Sequence, residues 1–130
     1  MLEIHGSIEH AHCLACHRGY DIEQMRKLLF SQEVPYCECG GIIKPDITFF
    51  GEMLPQREIM ASFEYAAECD VFIAIGTSLV VYPAASIPIA AKDNGAKLII
   101  FNLEPTPLDS IADEVINGEL KEIMQALENQ

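Results

Sequence analysis

The sequence predicts an α/β fold: a partial Rossmann-like parallel sheet with a small zinc-binding module inserted before it. Two apolar runs, residues 71–75 and 97–101, are typical of strands covered on both faces of a parallel sheet. Residues 84–93 between them have a helical pattern that stops at Asn94-Gly95, and this order favours βαβ packing. Four cysteines nearer the amino terminus, as C-x-x-C and then C-x-C, indicate the zinc-binding module.

The length and composition limit the domain organisation and the partners. At 130 residues the chain is one domain or part of a larger one; we assign residues 1–130 to it, with a zinc-binding module at 13–41 and a Rossmann-like half at 45–130. A net charge of −12 repels phosphate backbones, so we expect no nucleic-acid partner. No apolar stretch reaches the ~18 residues of a membrane span, and the first residues lack signal-peptide features. We therefore expect no membrane partner and a cytoplasmic protein.

Periodicity predicts three helices and one further strand. Asp21 and Gln24 have the spacing of a capping box, and residues 47–50 are predicted to form a short buried strand or extended segment. Gly40-Gly41 marks a turn. The apolar faces predicted for the helices are Ile22, Met25, Leu28 and Leu29; Ile59, Met60, Phe63 and Ala67 within residues 56–68; and Leu120, Ile123, Met124 and Leu127 near the carboxyl terminus.

The two cysteine pairs predict one structural zinc ion. Zinc prefers four thiolates in a tetrahedron, and a site with four protein ligands has no open position for catalysis. The predicted ligands are Cys13, Cys16, Cys37 and Cys39. His17, or His12 beside Cys13, is the alternative ligand, and free thiols or a redox pair are the alternative to a metal. Cys69 lies outside the pattern, and we interpret it as a small core residue.

Polar and small residues follow both predicted parallel strands. Gly76, Thr77 and Ser78 come after the first strand, and Asn102 comes after the second. Ligands of open parallel sheets bind beyond the carboxyl ends of strands, so these residues indicate a nucleotide site or, alternatively, an ordinary turn and helix cap. Residues 49–52 and 80–84 likewise allow two interpretations: core packing, or edges that receive an extended peptide by strand addition.

A longer set of motifs follows one family's order. The set is His5-Gly6, the four cysteines, Cys39-Gly40-Gly41, Lys44-Pro45-Asp46-Ile47, Phe49-Phe50-Gly51-Glu52, Leu54-Pro55, Gly76-Thr77-Ser78-Leu79, Pro83-Ala84, and Asn102 with Thr106. From residue 3 to about residue 125 the chain resembles the sirtuins, the NAD-dependent protein-lysine deacylases. The resemblance implies a Rossmann domain and a small zinc-bearing domain, with NAD+ and acyl-lysine meeting in the cleft between them.

The resemblance also implies a mechanism. His5 would be the general base that deprotonates a ribose hydroxyl of NAD+, a task suited to histidine near neutral pH. The acyl oxygen of the substrate lysine attacks the nicotinamide ribose, nicotinamide leaves, and the acyl group is transferred to ADP-ribose. The comparison assigns no role to His10 and His12, which we expect at the surface.

The resemblance further implies which residues bind the two substrates. The NAD+ site would contain Gly76, Thr77, Ser78, Asn102, Leu103, Glu114 and Val115. In this assignment Asn102 and Leu103 hold the adenosine ribose, and Glu114-Val115 approaches the adenine. The two strands that sandwich the acyl-lysine peptide would contain Phe49, Gly51, Glu52 and Val81.

The sequence departs from the family at its start. Sirtuins begin with a glycine-rich phosphate loop, an arginine-bearing segment and a Gln-Asn-x-Asp motif, and none of these occurs here. Without that part, we expect the strands at 71–75 and 97–101 to keep an unpaired apolar edge and His5 to lie on a fraying terminus. We also expect the isolated chain to be inactive unless another polypeptide supplies the N-terminal half.

Three interpretations follow from this departure. The chain is the C-terminal catalytic half of a truncated or split sirtuin; or a catalytically dead zinc-stabilised module that binds a protein, a nucleotide or a second copy of itself; or part of a full sirtuin encoded from further upstream. An unrelated zinc ribbon would not explain residues 44–106.

Overall fold

The computed structural model describes residues 1–128, which form two compact units. The first contains Met1 and Glu3–Gln56, and the second contains Leu2 and the chain from Arg57 onward. The first unit extends beyond the predicted 13–41 module in both directions, because a strand from the first residues pairs with the strand that follows the cysteines. Residues 129 and 130, at the end of the predicted Rossmann-like half, lie outside the described residues.

The first unit is a three-stranded antiparallel sheet with one helix. Its elements are β1 (Gly6–Cys13), β2 (Gly19–Asp21), α1 (Ile22–Ser31) and β3 (Ile43–Ile47), and the sheet order is β2-β1-β3. The core consists of Ala11, Cys13, Met25, Cys37 and Ile43, with Tyr20 and Leu28 packed against it. Two of the four clustered cysteines are therefore also core residues.

The capping box predicted for α1 is confirmed. The Asp21 carboxylate accepts the Gln24 N–H at 2.8 Å, and the Gln24 side-chain oxygen accepts the Asp21 N–H at 2.9 Å. Met25 is buried and Leu28 packs on the core, but Leu29 is 54% exposed and does not share the buried face.

The rest of the chain builds a parallel sheet with helices. Its elements are α2 (Gln56–Glu68), β4 (Val71–Ile75), α3 (Ser86–Asp93), β5 (Lys97–Asn102), β6 (Glu114–Asn117) and α4 (Leu120–Glu128). The sheet order is β4-β5-β6, with both pairings parallel. The predicted strands at 71–75 and 97–101 and the helix at 56–68 are confirmed, and β6 was not predicted.

The parallel sheet is covered on only one face along β4. The core consists of Ala74, Leu79, Leu98, Ile100 and Leu108, and Phe72 and Val115 pack against it. On the opposite face Val71, Ile73 and Ile75 are each about half exposed, at 47%, 50% and 49%. Burial on both faces, as predicted from the unbroken apolar run, is therefore wrong for β4. The expected unpaired apolar edge belongs to β4, because β5 is the central strand.

Several predicted boundaries and faces need correction. The strand predicted at 47–50 is instead Ile43–Ile47, and the helix predicted from residue 84 begins at Ser86 after a turn. On α2, Ala66 is buried and Ile59 and Phe63 are half-buried, whereas Met60 and Ala67 are exposed. The buried face thus follows residues 59, 63 and 66, about 100° away from the face that contains Met60 and Ala67. The side chain of Leu127 lies outside the described residues.

One carboxylate ties the amino ends of β5 and β6 together. Asp113 accepts the Leu98 N–H at 2.8 Å and the Lys92 ammonium at 2.6 Å, and its own N–H donates to the Leu98 carbonyl at 2.8 Å. Hydrogen bonding from Lys92, then from the Leu98 amide, lowers the pKa of Asp113. The stabilisation that Asp113 contributes is therefore fully present above the pKa that its carboxyl has in the unfolded chain. It is lost as the pH falls through the lower pKa that the carboxyl has in the folded chain.

None of the described helices has the length and apolar content needed to cross a bilayer.

We predict that Leu98→Ala destabilises the protein far more than Ile73→Ala. Leu98 has no solvent exposure and lies at the centre of the sheet core, so truncation leaves a cavity that costs about 2–5 kcal/mol. Ile73 is half exposed on the opposite face, and its truncation should cost less than about 1 kcal/mol. Urea unfolding followed by circular dichroism measures both; equal losses would contradict this assignment of the core.

Candidate functional site

The four predicted zinc ligands converge on one point of the first unit. Their sulfur atoms all lie within 4.8 Å of one another. The Cys13 and Cys39 sulfurs are 3.5 Å apart, and those of Cys16 and Cys37 are 3.6 Å apart. In each pair one cysteine is buried and the other is exposed, so the cluster lies where the core meets solvent.

Backbone hydrogen bonds shape the two loops that carry the cysteines. The His17 N–H donates to the Cys13 carbonyl at 2.9 Å, which closes the first loop, and the Gly40 N–H donates to the Cys37 carbonyl at 2.8 Å, which closes the second. A side chain at Gly41 would put a Cβ atom 2.6 Å from the Cys13 sulfur. Glycine is therefore required at position 41 because the second loop passes directly against the first cysteine.

The cluster fits a tetrahedral zinc ion. With Zn–S bonds of about 2.3 Å, the sulfurs of a tetrahedral site are about 3.8 Å apart, close to the separations of the two pairs. A hydrogen bond from the Cys39 N–H, followed by one from Tyr20, lowers the pKa of Cys37 to about 6, which favours the thiolate that binds metal. His17 is not part of the described cluster, and His12 pairs with Asp46 through its Nδ1 atom. Neither alternative histidine belongs to the described cluster, and the His12 side chain, 39% exposed, lies at the surface as predicted, paired with Asp46.

His5 is fixed by the ladder between β1 and β3. The Thr48 N–H donates to the His5 carbonyl at 2.9 Å, and the next residue, Gly6, is paired with Ile47. Gly6 has φ of +75°, and a Cβ atom there would overlap the Asp46 carbonyl oxygen. The backbone of His5 is therefore hydrogen-bonded to the segment after β3, and its side chain lies at the surface; fraying of this terminus stays a prediction.

Residues 49–52 form a tight turn rather than the predicted strand. The Glu52 N–H donates to the Phe49 carbonyl at 3.0 Å, and Gly51 has φ of +91°, as the third residue of a type II turn requires. The Glu52 carboxylate accepts the Phe49 N–H at 2.9 Å. That hydrogen bond, followed by one from Lys44, lowers the pKa of Glu52. The part of Phe49, Gly51 and Glu52 in peptide binding stays a prediction.

In the second unit, Gly76, Thr77 and Ser78 leave the carboxyl end of β4. The Gly76 N–H donates to the Phe101 carbonyl at 2.9 Å, and Gly76 has φ of +61°. Thr77 accepts the Leu79 N–H through its hydroxyl at 3.3 Å, while Ser78 is exposed. The chain therefore turns sharply here and leaves small side chains at the strand end, which suits close approach of a phosphate or ribose.

Asn102 lies at the carboxyl end of β5 and uses its amide inside the turn. The Nδ2 atom of Asn102 donates to the Glu104 backbone carbonyl at 2.8 Å. The backbone carbonyl of Asn102 accepts from the side-chain amide of Asn117 at 3.2 Å. Leu103 is largely exposed beside it. The structure thus brings Asn102 and Leu103 to the same end of the sheet as Gly76, the carboxyl end of the parallel strands. The side-chain oxygen of Asn102 is the acceptor that this residue still offers there.

Glu114 and Val115 are not at the carboxyl end of the sheet. They pair with Ile99 and Ile100 within the sheet, and Val115 packs on the core. Asn117, opposite Asn102, is the β6 residue that reaches the carboxyl end. We missed it because β6 was not predicted; the signal was the short apolar pair Val115-Ile116 ahead of Gly118. The approach of Glu114 and Val115 to the adenine stays a prediction, and their position within the sheet argues against it.

Val81 belongs to the second unit, in the loop before α3. It is 47% exposed, and its carbonyl accepts the Ala85 N–H at 2.9 Å. An interpretation of residues 80–84 as core packing is therefore wrong for Val80 and Val81, both of which are exposed.

Comparison with known proteins identifies the family. The Sir2 family model matches residues 1–83. The chain is 39% identical over 129 residues to an NAD-dependent protein deacetylase of Oceanobacillus iheyensis, covering 98% of this chain and 52% of that protein. It is 45% identical over 126 residues to NAD-dependent protein deacylase 2 of Archaeoglobus fulgidus, covering 95% and 50%.

A solved Sir2 complex with a p53 peptide and NAD+ superposes with a TM-score of 0.94 at 38% identity, covering 98% of this chain and 54% of the other. The chain spans about half the length of the curated relatives it matches. Because the Sir2 family model alone covers more than half of the chain, the chain belongs to the Sir2 family.

Proposed function

We propose that this chain supplies His5, the zinc-bearing module and one side of the nucleotide site of an NAD-dependent protein-lysine deacylase. The hydrogen bond between the His5 carbonyl and the Thr48 amide carries this proposal, because it joins the predicted base to the segment predicted to receive the peptide. Relatives named as NAD-dependent protein deacetylases and deacylases support it. A relative solved with a p53 peptide and NAD+ supports the choice of substrates.

In this proposal the chain's own residues have three tasks. The exposed His5 imidazole takes the proton of a ribose hydroxyl. The turn at 49–52 holds one side of the peptide. Gly76 and Asn102, at the carboxyl ends of β4 and β5, accept the nucleotide. NAD+, when bound, supplies the ADP-ribose that accepts the acyl group.

We predict deacylation that requires NAD+, His5 and the remaining half of the family's length. An acetyl-lysine peptide is incubated with the chain together with the N-terminal half of the O. iheyensis deacetylase, and acetyl loss is followed by mass spectrometry. His5→Ala should abolish the reaction, because no other described group holds its place opposite Thr48. His10→Ala is the matched control, an exposed histidine within β1.

Two results would contradict this prediction. Absence of NAD-dependent acetyl loss in the reconstituted mixture contradicts the deacylase function. Equal activity of the chain alone contradicts the requirement for the remaining half.

We also propose that the cysteine cluster holds one structural zinc ion. Four thiols and no other described donor form the cluster, which leaves no open position once the metal is bound. Because Cys13 and Cys37 are also core residues of the first unit, metal binding and folding of this unit should be coupled.

We predict about one zinc ion per purified chain, and loss of both zinc and the fold of the first unit in Cys37→Ser. Cys69→Ser is the matched control, since its thiol lies outside the cluster. Elemental analysis and circular dichroism give the two readouts. Well-folded protein without zinc would contradict the proposal.

We propose further that the free edge of β4 pairs with a strand from the remaining half of the family's length, on the same polypeptide or on another. The half-exposed Val71, Ile73 and Ile75 support this, because a parallel strand is normally paired and covered on both sides.

We predict that Ile73→Lys abolishes co-purification with the N-terminal half of the O. iheyensis deacetylase, because a charge on this face blocks its coverage. Ile8→Lys, an exposed apolar position on β1, is the control and should leave co-purification intact. Co-purification that survives Ile73→Lys argues against β4 as the docking edge. If the chain alone forms dimers in native mass spectrometry and Ile73→Lys abolishes them, the partner of β4 is a second copy of this chain and not the N-terminal half.

We propose the cytoplasm as the compartment of this protein, because a four-cysteine cluster that binds zinc needs reduced thiols.

A further inference from the structure

Lys44 binds three groups around the predicted peptide-binding turn. Its ammonium donates to the Ile47 carbonyl at 2.7 Å and to the Glu52 carboxylate at 3.0 Å, and it lies 4.5 Å from the centre of the Phe49 ring. Only 17% of the side chain is exposed, although most lysines in proteins keep their charge in water. A cation withdrawn this far from solvent is retained only where its partners are fixed.

Lys44 and His5 bind opposite ends of one peptide group. The Ile47 carbonyl accepts from Lys44, and the N–H of the same peptide plane, that of Thr48, donates to the His5 carbonyl. A trans peptide is planar and rigid, so an atom held at one end fixes the direction of the other. The Lys44 ammonium therefore orients the bond that fixes the backbone of His5.

Lys44 also reaches the turn through Glu52. The carboxylate oxygen that accepts from Lys44 is the one that accepts the Phe49 N–H. Phe49 and Glu52 are the first and last residues of the turn, and their backbones are joined by the turn hydrogen bond. Neutralising the cation would leave this half-exposed carboxylate with only the amide, and the turn would lose its tie to β3.

We propose that Lys44 is a positioning residue, which holds the backbone of His5 and the turn at 49–52 in one fixed relation by binding the Ile47 carbonyl and the Glu52 carboxylate together. The inference deepens the proposed deacylase function and rests on it for the roles of His5 and of the turn. Lys44 itself touches neither substrate in this proposal.

Lys44→Met keeps the aliphatic stem and removes the charge, so it separates positioning from packing. In the purified full chain, we expect the Thr48 and Phe49 amides to exchange hydrogen about tenfold faster or more, since hydrogen bonds to a charged group are lost. In the reconstituted mixture, we expect the KM for the acetyl-lysine peptide to rise about tenfold. Lys44→Arg should restore most of the protection from exchange and most of the peptide affinity, because the guanidinium keeps the charge and has N–H donors for both acceptors.

Lys27→Met is the matched control, an exposed lysine on α1 away from the turn. If Lys44→Met fails to fold, as zinc content and the thermal unfolding transition will reveal, Glu52→Gln tests the same link, because glutamine still accepts the Phe49 N–H but lacks the charge. We expect faster exchange at Thr48 in that variant as well.

The outcomes separate the inference from the function beneath it. Unchanged exchange at Thr48 and Phe49 in Lys44→Met, or in Glu52→Gln, overturns the positioning role. Faster exchange without any change in the peptide KM overturns it too, since Lys44 would then be structural only. If the unsubstituted protein shows no NAD-dependent acetyl loss, the deacylase function fails instead, and the exchange rates still decide whether Lys44 holds the turn to His5.

Discussion

The first unit depends on the antiparallel pairing of β1 with β3. At one end of this ladder Cys13 faces Ile43, beside the thiol cluster, and at the other end Gly6 faces Ile47, beside His5. The two ends of β1 are about 23 Å apart at the usual rise of a strand. The proposed metal site and the proposed proton acceptor are thus held by one pair of strands.

The ladder depends in turn on one glycine. Gly6 faces the Asp46 carbonyl so closely that no side chain fits, and its positive φ turns the chain so that His5 lies just outside the strand. The sequence shows His5-Gly6 as an unremarkable dipeptide near the start of the chain. Its importance came from the resemblance alone, because a close backbone approach is made by residues forty positions away and has no local signature.

Local signals predicted the parts of the fold that local interactions create. The capping box of α1 and the apolar runs of β4 and β5 each lie within a few residues, and each was confirmed. β1 was missed because Glu9, His10 and His12 interrupt its apolar pattern, and its partners are distant in sequence. The unbroken apolar run of β4 predicted two covered faces, but burial depends on what packs there, and periodicity does not report that.

Glu52 shows why a residue's chemistry cannot be read from its type. It lies in the segment predicted to bind the peptide, yet both of its described partners, the Phe49 amide and the Lys44 ammonium, belong to its own chain. Its lowered pKa keeps these bonds intact as the pH falls, until the pH passes through the folded value. The carboxylate therefore shapes the turn, and recognition of an extended peptide there would fall to backbone groups. Backbone recognition of this kind would read the path of a peptide rather than its side chains.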